Sequence, residues 1–137
     1  MNGGESTRVW RPSWPCAVGS GLAPLRRGAG DPTYRIDDAG RHWLAMRTPA
    51  GPATLAVASR PDLGEVHGSA WGEGAGWALE TMPALLGDED DPTGFAPDLT
   101  LLVEAHRRHP HLRIGRTARV FEALLPAIIE QKVTGQE

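Results

Sequence analysis

The sequence predicts an α+β protein, a small antiparallel sheet with helices, followed by the first helices of an incomplete all-α domain. Three observations carry this. Short apolar/polar alternations recur between residues 33 and 71, with turn residues at roughly 8–12-residue spacing. Past Gly76 the apolar period becomes helical. The most apolar stretch of the chain, residues 121–133, repeats at i, i+3, i+4, i+7, i+8 and i+12.

Taken in order, residues 1–7 read as a loose polar tail and residues 8–11 as a short strand, closed by Pro12 and Pro15, which lack the ladder donor. Residues 22–27 form a short helical turn ended by Gly28-Ala29-Gly30. Thr33-Tyr34-Arg35-Ile36-Asp37 alternates, and Asp38-Ala39-Gly40 turns the chain into a strand over residues 42–47. A second turn at residues 48–52 leads to a strand over 53–59, and Arg60-Pro61-Asp62 leads to the weakest strand, residues 65–71. The result is an antiparallel meander.

Trp77, Leu79, Met82, Leu85 and Leu86 form the stripe of the next helix, which Pro83 is expected to break or restart. Residues 88–97, acidic and proline-punctuated, separate an N-terminal domain (1–87) from the start of a helical domain (98–137). Asp98 is placed to cap a helix running to His109, with Leu99, Leu102, Val103 and His106 on one face. The last helix has a broad apolar face, with Pro126 kinking it or opening its second half. What precedes it is too little to bury that face, so the expected cover lies in a second domain beyond this polypeptide.

Composition narrows the function. With 40% hydrophobic and 23% charged residues the chain is not a disordered one. A lone cysteine, Cys16, forms no internal disulfide, and neither a signal core nor a spanning segment is visible, which points to a cytoplasmic protein. The net charge of −3 conceals segregation. Ten acids and no Lys or Arg lie between Asp62 and Glu104, whereas five Arg, three His and no acid lie between Ala105 and Arg119. Such a block is a solvated surface or a basic site for a polyanion.

Candidate motifs are few. His106, His109 and His111 have the chemistry of metal ligands, but five arginines surround them and no cysteine joins them, so a basic helix end complementing the helix dipole is the better reading. Gly72-Glu73-Gly74-Ala75-Gly76 lacks the third glycine of a dinucleotide fingerprint and carries an acid that repels phosphate; it reads as a flexible turn. Cys16 reads as structural, and the carboxylates of residues 88–91 as solvated. Arg107, Arg108, Arg113, Arg116 and Arg119 suit phosphate contact. Trp43, Trp71 and Trp77 read as core, with a small-ligand pocket as the other reading.

Phe121-Glu122-Ala123-Leu124-Leu125-Pro126-Ala127-Ile128-Ile129-Glu130-Gln131-Lys132-Val133-Thr134 resembles the helix Phe-Glu-x-x-x-x-x-Ile-x-x-Gln-x-Val-Ser/Thr of the DNA-3-methyladenine glycosylase II family, within the helix-hairpin-helix DNA glycosylases. Leu112-Arg113-Ile114-Gly115-Arg116 is similar to that family's lead-in, and the front half to its TBP-like α+β domain. The resemblance implies base-excision repair: an alkylated base such as 3-methyladenine is flipped from double-stranded DNA and its N-glycosidic bond hydrolysed. It implies a monomer that needs neither cofactor nor metal. The family's catalytic aspartate and glycine-rich hairpin lie C-terminal to the Gln131 helix, so no catalytic residue is assigned and the 137 residues alone are expected to be inactive. By the same resemblance Gln131 and Thr134 line the base cleft, with helix packing and capping as the alternative. Arg113, Arg116 and Lys132 face DNA phosphates. The other class of function left open is a non-catalytic module binding nucleic acid or protein.

Overall fold

Alternation along residues 34–71 places every second side chain on one side of a sheet, and a computed structural model, which describes residues 4–131, shows that sheet closed by helices on this side only. Strands β1 (Ser6–Trp10), β2 (Tyr34–Ile36), β3 (His42–Thr48), β4 (Gly51–Arg60) and β5 (Glu65–Trp71) are antiparallel throughout, in the order β1-β5-β4-β3-β2. The architecture is α+β. The helices are α1 (Val18–Leu22), α2 (Ala75–Leu85), α3 (Thr100–Arg108) and α4 (Val120–Ile129), with 3₁₀ turns at Ala23–Leu25 and Pro92–Gly94.

Registry fixes the faces. Leu44 opposes Leu55, which opposes Ala70, and all three are buried with Val57 and Val66 against Val18 and Leu22 of α1 and Leu79 and Met82 of α2. β5, the weakest strand by sequence, pairs on both sides and lies beneath α2. Its low β propensity has a structural reason: a Cβ on Gly68 would lie 2.6 Å from the Met82 sulfur and 2.9 Å from Leu79 Cδ2, so only glycine lets α2 come this close.

Several expectations are corrected. Pro83 does not break α2, which continues through it to Leu85. A proline here leaves the carbonyl of Leu79, four residues earlier, without its helical donor. Arg8 of β1 replaces that donor: its Nη1 donates to Leu79 O at 2.9 Å and to Glu80 O at 3.0 Å. Nor is the turn over residues 72–76 flexible. Gly74 is buried and its N–H donates to Pro52 O at 3.1 Å, while a Cβ on Gly72 (φ +97°) would lie 2.5 Å from the same carbonyl. The turn is thus locked against the β3–β4 hairpin. The helical turn of residues 22–27 begins earlier, as α1, and passes into a 3₁₀ turn with Pro24 near its start.

Asp98 lies one position too early to cap α3. The cap residue is Leu99, whose carbonyl accepts from Leu102 and Val103, and no side chain caps the helix. The acids of residues 89–91 are not simply solvated. Glu89 pairs with Arg116, the Asp90 carboxylate accepts from Ile114 N–H at 2.9 Å, and Asp91 caps the following 3₁₀ turn through Thr93. The same segment is held to the end of α2 by Arg116 N–H donating to Ala84 O at 2.9 Å.

Because Arg8 stands in for a donor that Pro83 removes, the two are coupled. Arg8→Met is expected to destabilise the chain by about 1–2 kcal/mol in urea unfolding, the worth of a charge-assisted bond to a half-buried carbonyl. In a Pro83→Ala background, where a backbone N–H is restored, the same substitution costs less than half as much.

Candidate functional site

α4 lies at the edge of the sheet where β2 stops. β2 pairs only with residues 42–44 of β3, so the chain from Ala45 onward is an edge. Ala45 N–H finds Thr33 O at 2.9 Å, and Arg119, immediately before α4, donates from Nη1 to Arg47 O at 2.6 Å. At the other end of the helix Glu130 pairs with Arg27 at 3.6 Å. Between these two tethers α4, β3, α2 and the loop before β2 enclose a cleft of about 670 Å³. Leu25, Leu44, Met46, Trp77 and Leu85 give it apolar walls; Arg27, Arg47, Arg119, Glu122, Thr33, Thr81 and Thr117 give it polar ones.

α4 turns its less apolar side, Glu122, Ala123 and Pro126, toward this cleft. Its apolar stripe points away: Phe121, Leu124, Leu125, Ile128 and Ile129 are 42–71% exposed. The Leu99, Leu102 and Val103 face of α3 is exposed as well, and His106 is half-buried against the Phe95 ring, 5.3 Å away. Neither helix contributes a buried residue.

All five tryptophans are half-buried, so the core reading of Trp43, Trp71 and Trp77 is corrected. Trp77, on α2, lines the cleft. Trp43 stacks on Trp71, centroids 5.3 Å apart and planes 14° apart, on the sheet face that carries no helix. The Arg35 and Arg41 guanidinium groups each lie 5.1 Å from the Trp43 ring. Asp37 accepts from Trp43 Nε1–H and Arg41 Nε–H, each at 2.8 Å, and these bonds, the indole's first, hold its carboxyl well below the usual range.

The residues singled out from sequence separate. Arg113 sits over the Trp14 ring at 4.2 Å and donates to Asp90 O, while Arg116 pairs with Glu89. Gln131 is exposed just beyond α4, and Lys132 and Thr134 lie outside the described residues. Arg107 and Arg108 are exposed at the C-terminal end of α3. Among the described residues no three His, Cys, Asp or Glu side chains converge as a metal site, and no helix is long and apolar enough to cross a membrane. Burial pushes the Cys16 thiol up to about 11, which keeps it protonated and unreactive at neutral pH. Sequence reasoning missed Arg27, Arg47 and Arg119 as neighbours. They stand far apart in the chain, and only the early end of β2 brings them together.

Compared with family models, with curated proteins and with solved structures, the chain has no match.

One titration follows from the cleft wall. Tyr34, which lines the cleft, has its hydroxyl 2.6 Å from His42 Nδ1, and burial lowers the His42 pKa from 6.5. The unfolded chain therefore binds this proton more readily than the folded one. This part of the stability is expected to be complete above the ordinary histidine pKa of 6.5 and to fall as pH drops below it. His42→Gln flattens that part of the pH–stability curve, measured by urea midpoints.

Proposed function

We propose that the chain supplies the α+β domain and the first helices of the helical domain in a DNA glycosylase of the 3-methyladenine glycosylase II type. The observation that carries this reading is α4. The segment whose residues resemble that family's helix is helical from Val120 to Ile129, and its apolar stripe has no cover among the described residues. A helix of this kind is stabilised by packing and not by propensity, so its surroundings are a domain of further helices. The order of elements supports the finer reading of the sheet as TBP-like: an antiparallel sheet with helices on one face, an acidic stretch, then two helices.

In this reading the partner is double-stranded DNA with an alkylated base, and the enzyme is a cytoplasmic monomer. The base is flipped out and its N-glycosidic bond hydrolysed, leaving an abasic site. The aspartate that stabilises the developing charge on the sugar belongs to the segment that follows α4 in the resembled family, and no acid of this chain takes that role. Gln131 and Thr134 line the cleft for the flipped base. Lys132 contacts phosphate, and Arg113 and Arg116 do so by exchanging Asp90 and Glu89 for DNA oxygens.

The test is base release from methylated duplex DNA. The 137 residues alone release no 3-methyladenine, whereas their fusion to the remaining helical domain of a family member does. Leu125→Asp in the fusion lowers release at least tenfold, since burying that side chain is worth about 1.5–3 kcal/mol. Release by the short chain, or a fusion indifferent to Leu125, refutes the reading.

A second reading, a non-catalytic nucleic-acid-binding module, is favoured by the exposed Arg107 and Arg108 beside His106 and His109. It predicts duplex binding whose affinity falls steeply with salt, with a shallower slope in Arg107→Gln/Arg108→Gln. An unchanged slope in an electrophoretic titration counts against it.

A further inference from the structure

The sheet face that carries no helix differs from an ordinary solvated surface. Strand register puts Arg35, Trp43, Arg47, Ala56 and Trp71 on it together. Trp43 and Trp71 stand on strands either side of β4 and stack, centroids 5.3 Å apart. Ala56, between them, is only 3% exposed although no helix lies above it. Both indoles remain partly in water. Aromatic side chains raised on an open antiparallel sheet are a platform on which unpaired bases stack.

Charge limits what can lie on this platform. The Arg35 and Arg41 guanidinium groups are each 5.1 Å from the Trp43 centroid, and Arg47, whose carbonyl borders the cleft, carries its side chain on this face of β3. Asp37 pairs with Arg41, and Glu65, across the face, with Arg11 and His67. Arg35 and Arg47 are exposed and pair with no acid among the described residues, Glu73 at the hairpin end included. Positive charge therefore lines the β2–β3 side of the tryptophan pair, where the phosphates of a strand with stacked bases would run. A duplex keeps its base faces hidden, so the indoles select an unpaired strand. Ala45 and Ala56, the outward neighbours of Trp43, carry no polar atom to read a ribose 2′-hydroxyl, which selects DNA. We infer that the helix-free face binds single-stranded DNA, its bases extending the Trp43–Trp71 stack and its phosphates on Arg35 and Arg47. The inference needs only β2 to β5, so it stands apart from the glycosylase reading, and it uses no residue of the Arg107–Arg108 helix end.

The probes are fluorescein-labelled oligothymidylate of about 12 nucleotides, oligouridylate of the same length, a matching duplex and poly-glutamate, each titrated with the whole chain and read by anisotropy. Oligothymidylate is expected to bind at least tenfold more tightly than the duplex or poly-glutamate, and more tightly than oligouridylate. Unlabelled oligothymidylate quenches tryptophan emission saturably. Arg35→Gln/Arg47→Gln weakens binding at least tenfold and makes its salt slope shallower by about 1.4, the loss of two phosphate contacts on a single strand. Trp71→Leu weakens binding at least fivefold and leaves the slope unchanged. Should Trp71→Leu fail to fold by circular dichroism, the exposed arginine pair and the emission change still decide the matter. Arg107→Gln/Arg108→Gln leaves oligothymidylate binding intact. No binding of oligothymidylate, equal or tighter binding of any other probe, emission unmoved by bound DNA, or full binding in folded Arg35→Gln/Arg47→Gln overturns the inference.

Discussion

The approach of α2 to β5 over Gly68 is the contact on which the rest of the molecule depends. With no Cβ at that position, Leu79 and Met82 reach the sheet surface and complete the buried cluster with Leu55, Val57 and Val66. α2 in turn fixes three further things. Its start is locked to the β3–β4 hairpin through Gly72 and Gly74, its middle receives Arg8, and its end holds the segment containing Arg116. A helix displaced outward by one methyl group would loosen all three, because close-packed interiors yield little.

The strands were legible because their signals are local. Alternation and turn residues at 38–40, 48–52 and 60–62 place β2 to β5 to within a residue or two. Helix ends were less legible. Pro83 carries a strong breaking signal, and what overrides it is a guanidinium 75 positions earlier in the chain, which no window of sequence contains. Asp98 has the chemistry of a cap and lies one residue from the capping position. The glycines of residues 72–76 looked flexible because the hairpin that packs on them is distant in sequence.

The candidate site was legible only in pieces. Trp71 and Trp77 were visible as aromatics with two possible uses, core or pocket; the structure puts Trp77 at the cleft and stacks Trp71 on Trp43 across the other face of the sheet. The basic run from Arg107 to Arg119 looked like one patch, yet its members diverge. Arg113 and Arg116 neutralise the acidic stretch, Arg119 reaches the sheet, and Arg107 and Arg108 remain outward. Charge segregation along the chain is therefore partly cancelled in space: the acid-rich and arginine-rich segments meet each other.

The early end of β2 has a consequence beyond the cleft. Beyond Ala45, whose N–H is taken by Thr33 O, no strand pairs with this side of β3 among the described residues, and such borders recruit strands from other molecules. The Arg119 guanidinium on the Arg47 carbonyl occupies one of the few groups through which a foreign strand would zip on. Arg119, at the entry to α4, thus shields this margin, and a polypeptide cut before residue 119 would carry the sheet with that carbonyl laid bare.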